Sequence, residues 1–310
     1  MLSKLALPMA VFSLVFISNL ATCATFETEQ LVIHDATGNL SPERFERFIH
    51  KADSTFAKVL QFWSTEPIAQ QFGKINIEFD NSNPKANYSF FFFKQENGHR
   101  IRVVRVSGSD EAPHQLAHKL TSAVFPNPDK LIRNMMGEAS EKRFGNPQSF
   151  PMCGFSNDNW VMALLQTGTY IPLTKLGPNH TDWGMEIENN VTPKVKDRVK
   201  QHASYVEAGS FGEFLIQTYG LEKIKQFNSL SRNTPRPWNE IYGISLEQLE
   251  AKWLEAVRST SLKDEKKLSL LVEMLKDDPN AACHSAQNLT KNLSVHNTDF
   301  SEGDNRRGHR

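Results

Sequence analysis

The sequence predicts an α+β fold, a small mixed sheet with a hairpin followed by a helical half. Three observations predict it. The patterns run strand, helix, strand, hairpin and then helices, without the alternation of a doubly wound sheet. Asn97-Gly98 lies between two apolar-rich arms, the signature of a tight hairpin turn. From Glu111 onward, apolar residues recur at helical spacing.

The N-terminus is read first. Lys4 precedes an uncharged apolar run, Leu5 to Leu20, which ends in Ala21-Thr22-Cys23-Ala24. A positive start, a short apolar core and small closing residues are the parts of a secretory signal peptide over residues 1–24. The run is too short for a spanning helix and contains Pro8. The expected location is therefore exported, periplasmic or secreted. Leu20-Ala21-Thr22-Cys23 also has the outline of a lipoprotein site, making Cys23 a candidate lipid anchor.

Residues 25–110 read as an α/β subdomain. Phe26 to Ile33 is a strand. Ser41 and Pro42 open a helix carrying Phe45, Phe48, Ile49, Ala52, Phe56, Val59 and Leu60. Lys74 to Phe79 is a strand, and Tyr88–Gln95 with Arg100–Ser107 form the hairpin. Residues 111–278 read as the helical subdomain, with helices over 111–125, 128–144, 196–219, 221–230, 246–259 and 262–276. Asn127 and Pro128 start the second, Gly145 and Gly220 sit at C-terminal caps, and Ser245 with Gln248 makes a capping box. Residues 146–195 read as a long loop or insertion, and 279–310 as a polar, disordered tail.

Thirty-five basic and 35 acidic residues leave no net charge, which argues against a nucleic-acid partner. No other stretch is apolar enough for a membrane span. Of the cysteines, Cys153 and Cys283 could pair in an oxidising compartment, although their spacing alone does not bring them together.

The candidate chemistry centres on His114-Gln115-Leu116-Ala117-His118. Histidines four apart on one helical face can reach a single metal ion. By helical periodicity Glu138 falls among Leu131 and Met135, on the apolar side of the next helix. A carboxylate there needs a positive partner. Zinc held by His114 and His118 would supply it. The alternatives are a salt bridge to Arg133 or Lys142, or a partly wet helix edge. His180 and His202 read as loop and helix-surface residues, and nothing near Cys153 suggests a nucleophile.

His114-x-x-x-His118 followed by Glu138 resembles the gluzincin zinc metallopeptidases, whose motif is His-Glu-x-x-His with a Glu on the next helix. Tyr205-Val-Glu-Ala-Gly-Ser-Phe211 to Leu215 is similar to a stretch of their aminopeptidase branch. The resemblance spans roughly residues 70 to 258. It implies a metallopeptidase-like helical half, zinc as cofactor, His114, His118 and Glu138 as ligands, and Tyr205 as oxyanion stabiliser.

One departure matters. The family's general base is Gln115 here, and an amide cannot take a proton from metal-bound water. Losing a general base typically costs about 10²–10⁴-fold in rate. Metal binding would outlast catalysis. The chain then reads as a zinc-binding pseudopeptidase that takes a peptide or protein in the former substrate groove, and Gln115→Glu would restore activity. The alternatives are a working zinc peptidase with an unusual base, for which Glu111 is the candidate, and a metal-free structural or surface protein.

Overall fold

The computed structural model describes residues 24–66, 72–83, 88–188, 192–261 and 265–288. Cys23 and nearly all of the expected signal segment lie outside them.

The architecture is α+β, an N-terminal sheet followed by a run of helices. The expected first strand is two, β1 (Thr25–Glu27) and β2 (Leu31–Asp35), paired antiparallel. The turn between them closes on Thr28, whose hydroxyl accepts the N–H groups of Gln30 and Leu31. Helix α1 (Pro42–Phe62) starts as expected, with the Ser41 hydroxyl accepting the Arg44 N–H. β3 (Ile75–Asp80), β4 (Ser89–Glu96) and β5 (His99–Ser107) complete a sheet in the order β1-β2-β3-β5-β4. β2, β3 and β5 run parallel, while β1 and β4 are antiparallel edges. Alternation puts Leu31, Ile33, Ile75, Ile77 and Phe79 on one face, where Phe48 of α1 stacks on Phe79 at 4.1 Å.

Helix α2 (Leu116–Val124) joins the two halves, and all nine of its residues are buried. Leu116, Leu120, Ala123 and Val124 pack toward the sheet, whereas Ala117 joins the helical core. Helix α3 (Lys130–Phe144) lies against α2 and contributes Leu131, Ile132, Met135, Met136 and Ala139 to that core. It starts two residues later than expected. Asp129 is its cap, accepting the Leu131 N–H at 2.9 Å, while the Asn127 amide is spent on Asn228 and Ser231.

Residues 146–195 are not a plain loop. Ser156 caps helix α4 (Asn157–Thr167), which buries Trp160, Val161, Ala163 and Leu164. β6 (Met185–Glu188) and β7 (Thr192–Val195) form a hairpin. Then come α5 (Arg198–Tyr219), α6 (Leu221–Leu230), α7 (Trp238–Tyr242), α8 (Leu246–Ser261) and α9 (Glu265–Asp277). The Ser245–Gln248 capping box forms as expected.

The tail is ordered further than its composition suggests. Residues 282–288 are helical, and Cys283 is disulfide-bonded to Cys153. This covalent tie holds Ala282 and Ala286 in a core cluster with Phe155, Trp160 and Leu271. Residues 289–310 lie outside the described ones. Among the described residues, no helix is long and apolar enough to cross a membrane.

Candidate functional site

The helix expected from residue 111 begins at Leu116. After β5, Gly108 bridges to Pro113, and the His114 N–H donates to Ser107 O at 2.8 Å. Pro113 disfavours helical backbone at Ala112, so the chain turns before winding. Gln115 takes the cap position in the left-handed region (φ 49°, ψ 38°) with no side-chain capping bond. His114 is therefore off the helix, and the one-turn stacking assumed for His114 and His118 does not exist.

Glu141 of α3 caps α2 from outside. Its Oε2 accepts the His118 N–H at 3.2 Å, and the Ala117 N–H also points to it. A carboxylate suits the positive end of a helix. Burial nevertheless lifts its pKa to about 7.

His118 is fully buried. Its Nδ1 lies 2.8 Å from Glu138 Oε1 and its Nε2 lies 3.1 Å from Asn134 Oδ1. The Gln115 amide donates to the same Glu138 oxygen at 3.1 Å. The ring sits so close over Gly137 that a Cβ there would be 2.3 Å from it. Burial pushes His118 well down, and burial with Glu141 nearby pushes Glu138 well up. Both shifts favour the uncharged form of each group. Oε1 already accepts from Gln115, so Nδ1 carries the imidazole proton and Nε2 offers a lone pair. Turning the Asn134 amide over, which gives its otherwise unpaired Nδ2 a partner, lets it donate to Nε2.

Tyr205 of α5 joins this group. It is 8 % exposed, with its ring centroid 6.3 Å from that of His118 and in edge-on contact with Phe150 and Trp183. Burial and the nearby Glu138 raise its pKa. On the far side, Ser89 of edge strand β4 donates to Gln115 Oε1 at 3.4 Å. The structure thus brings Gln115, His118, Glu138 and Tyr205 together and places His114 outside the helix face that was to carry it.

The same geometry tests zinc. Nδ1 is protonated toward Glu138 and Nε2 is covered by Asn134, so neither nitrogen faces open space. As arranged, the residues do not fit the ion. Among the described residues, no three His, Cys, Asp or Glu side chains are placed to hold a metal. Glu111 is on the turn before α2, with its side chain exposed and 3.9 Å from Arg47, so it does not replace the missing base.

Of the two further histidines, His202 differs from expectation and His180 lies in a loop as expected. His202 is a core residue, with Nε2 2.8 Å from Pro151 O and the Trp160 ring against it. His180 is half-buried and its Nδ1 has no partner. Sequence reasoning passed over Asn134 and Glu141, although with Glu138 they repeat at one helix face, a polar stripe inside an apolar helix. No protein-family model, curated protein or solved structure matches this chain.

Proposed function

We propose that the chain is an exported, gluzincin-like pseudopeptidase that acts as a metal-free binding protein for a peptide or protein. The observation that carries this is the closure of His118, with both ring nitrogens engaged by Glu138 and Asn134 while Gln115 ties down the same carboxyl. The order of sheet, His118 helix, Glu138 helix and Tyr205 helix supports the gluzincin-like part of the reading. The Cys153–Cys283 disulfide supports export, because such bonds persist in oxidising compartments. β4 ends the sheet beside the site, and among the described residues no strand pairs with its outer edge, on which an extended peptide could pair.

A second reading, a retained zinc ion, is favoured by one observation. Glu138 Oε2 is buried without a partner, which a cation would satisfy.

Gln115→Glu tests the proposal. With Gln115 off the helix and bonded to Glu138, the substitution sets a second buried carboxyl against the first and supplies no base to a metal-bound water. It should lower the melting temperature and leave peptidase activity on denatured protein at background. A gain of about 10²-fold or more, abolished by adding His118→Ala, would overturn the reading.

A further inference from the structure

After the expected leader, six asparagines head an Asn-x-Ser/Thr triplet with no proline in the middle: Asn39, Asn87, Asn179, Asn190, Asn288 and Asn292. Such a triplet takes an N-linked glycan in an exported chain when its asparagine stands on the surface. The three that lie in the described residues, Asn39, Asn179 and Asn288, are all exposed. Among the described residues, no buried asparagine heads a triplet.

Asn179-His180-Thr181 has the geometry that suits a glycan best. It leads into a short helical turn, Thr181–Trp183. The Asn179 N–H donates to Asp182 Oδ2 at 3.1 Å, and the Trp183 indole donates to Gly177 O at 2.9 Å. His180 O accepts the N–H groups of Trp183 and Met185, each at 3.0 Å. Thr181 takes part through its carbonyl, which accepts the Gly184 N–H and the Lys200 ammonium. These ties bury Trp183 and half-bury His180, while Asn179 and Thr181 stay exposed on either side. Among the described residues, the Asn179 amide and the Thr181 hydroxyl make no hydrogen bond. Both side chains that the triplet needs therefore stand outward and uncommitted. The other two are less well placed. Pro42 follows the Asn39 triplet and restricts Ser41, whose hydroxyl caps α1. The Asn288 amide lies on a helix, 3.3 Å from His284 Nε2.

We propose that Asn179 is a glycosylation site, taking an N-linked oligosaccharide from a lipid pyrophosphate donor during export. Its amide nitrogen attacks the anomeric carbon of the sugar and forms the C–N bond. The bond from that carbon to the pyrophosphate oxygen breaks, the lipid pyrophosphate leaves, and the amide gives one proton to a base of the transferase. This rests on the export part of the reading above, and on neither the peptidase resemblance nor the metal-free centre. The Cys153–Cys283 disulfide fits the same compartment. Cys283 emerges long after Asn179 during synthesis, so that bond closes too late to hide the amide.

Expression of the full chain in eukaryotic secretory cells tests the site. Protein from medium and cells is treated with peptide-N-glycosidase in heavy-oxygen water, which converts a glycosylated asparagine to labelled aspartate. Mass spectrometry of the peptide holding Asn179 should find the label in most secreted chains. Asn179→Gln and Thr181→Ala should each abolish it, whereas Thr181→Ser should keep it. All three variants should fold, because the ties of this turn use the backbone at both positions. Secreted protein without label at Asn179 overturns the site. So does label that survives Thr181→Ala, which would mark spontaneous deamidation. A second expression replaces residues 1–24 with a foreign secretory leader. Label at Asn179 under that leader alone upholds the site and overturns the export reading. Absence of label under both leaders, in medium and cells, overturns the site.

Discussion

Glu141 shows what single buried groups do in this protein. It replaces the capping side chain that α2 lacks, at the cost of holding a carboxyl in the core. Its folded pKa is about 7 against an ordinary 4.5, so the folded state keeps a proton that the unfolded chain gives up. The stability it contributes is complete below about 4.5 and is lost as the pH rises through 7. Glu141→Gln keeps an acceptor for the His118 N–H and removes the titration. In urea denaturation, the variant should match wild type near about pH 5 and gain on it by about 1–3 kcal/mol near about pH 8. A constant difference across that range would mean that Glu141 is already ionised in the fold.

At the scale of elements, the close approach of α3 and α5 decides where His118, Glu138 and Tyr205 meet. Gly209 and Gly212 of α5 face α3. A Cβ on Gly212 would lie 2.6 Å from Met135 O, and one on Gly209 would lie 3.1 Å from the Glu138 Cβ. A glycine inside a helix costs about 1 kcal/mol relative to alanine, so contact geometry outweighs propensity here. Gly212→Ala should destabilise by about 1–2 kcal/mol net, as backbone overlap exceeds the propensity gain. Increased stability would show that the helices have room to spare. The sequence carried much at this scale. The Asn97-Gly98 hairpin, the Ser41 and Ser245 caps and the inward-facing Glu138 all follow from local chemistry. The start of α2 was misread because the two-histidine spacing was weighed above Pro113, which breaks the helix before His114. Helix α4 was missed under the Pro, Gly and Asn around it, despite Ser156 and the apolar spacing of Trp160, Val161 and Leu164. The His118–Glu138–Asn134 closure lies in packing between helices, which no local pattern contains.

Across the whole molecule, the disulfide fastens the chain's far end to the segment before α4, closing a loop of 130 residues. Cross-links of this kind typically contribute about 2–5 kcal/mol. Cys283→Ser should cost about that much, with hydrogen-exchange protection lost first over residues 265–288 while β2, β3 and β5 stay protected. Uniform loss across the sheet would contradict this order. The sheet and the helices meet at α2, and the proposed function turns on the polar group there. If His118 is closed on Glu138 and Asn134, as in the proposed reading, this centre holds no metal. Zinc content, measured on the protein after equilibration with zinc and removal of the excess, tests this most directly. The account predicts less than about 0.1 zinc per chain, unchanged by His118→Ala or Glu138→Gln. About one zinc per chain, lost in both variants, would contradict it.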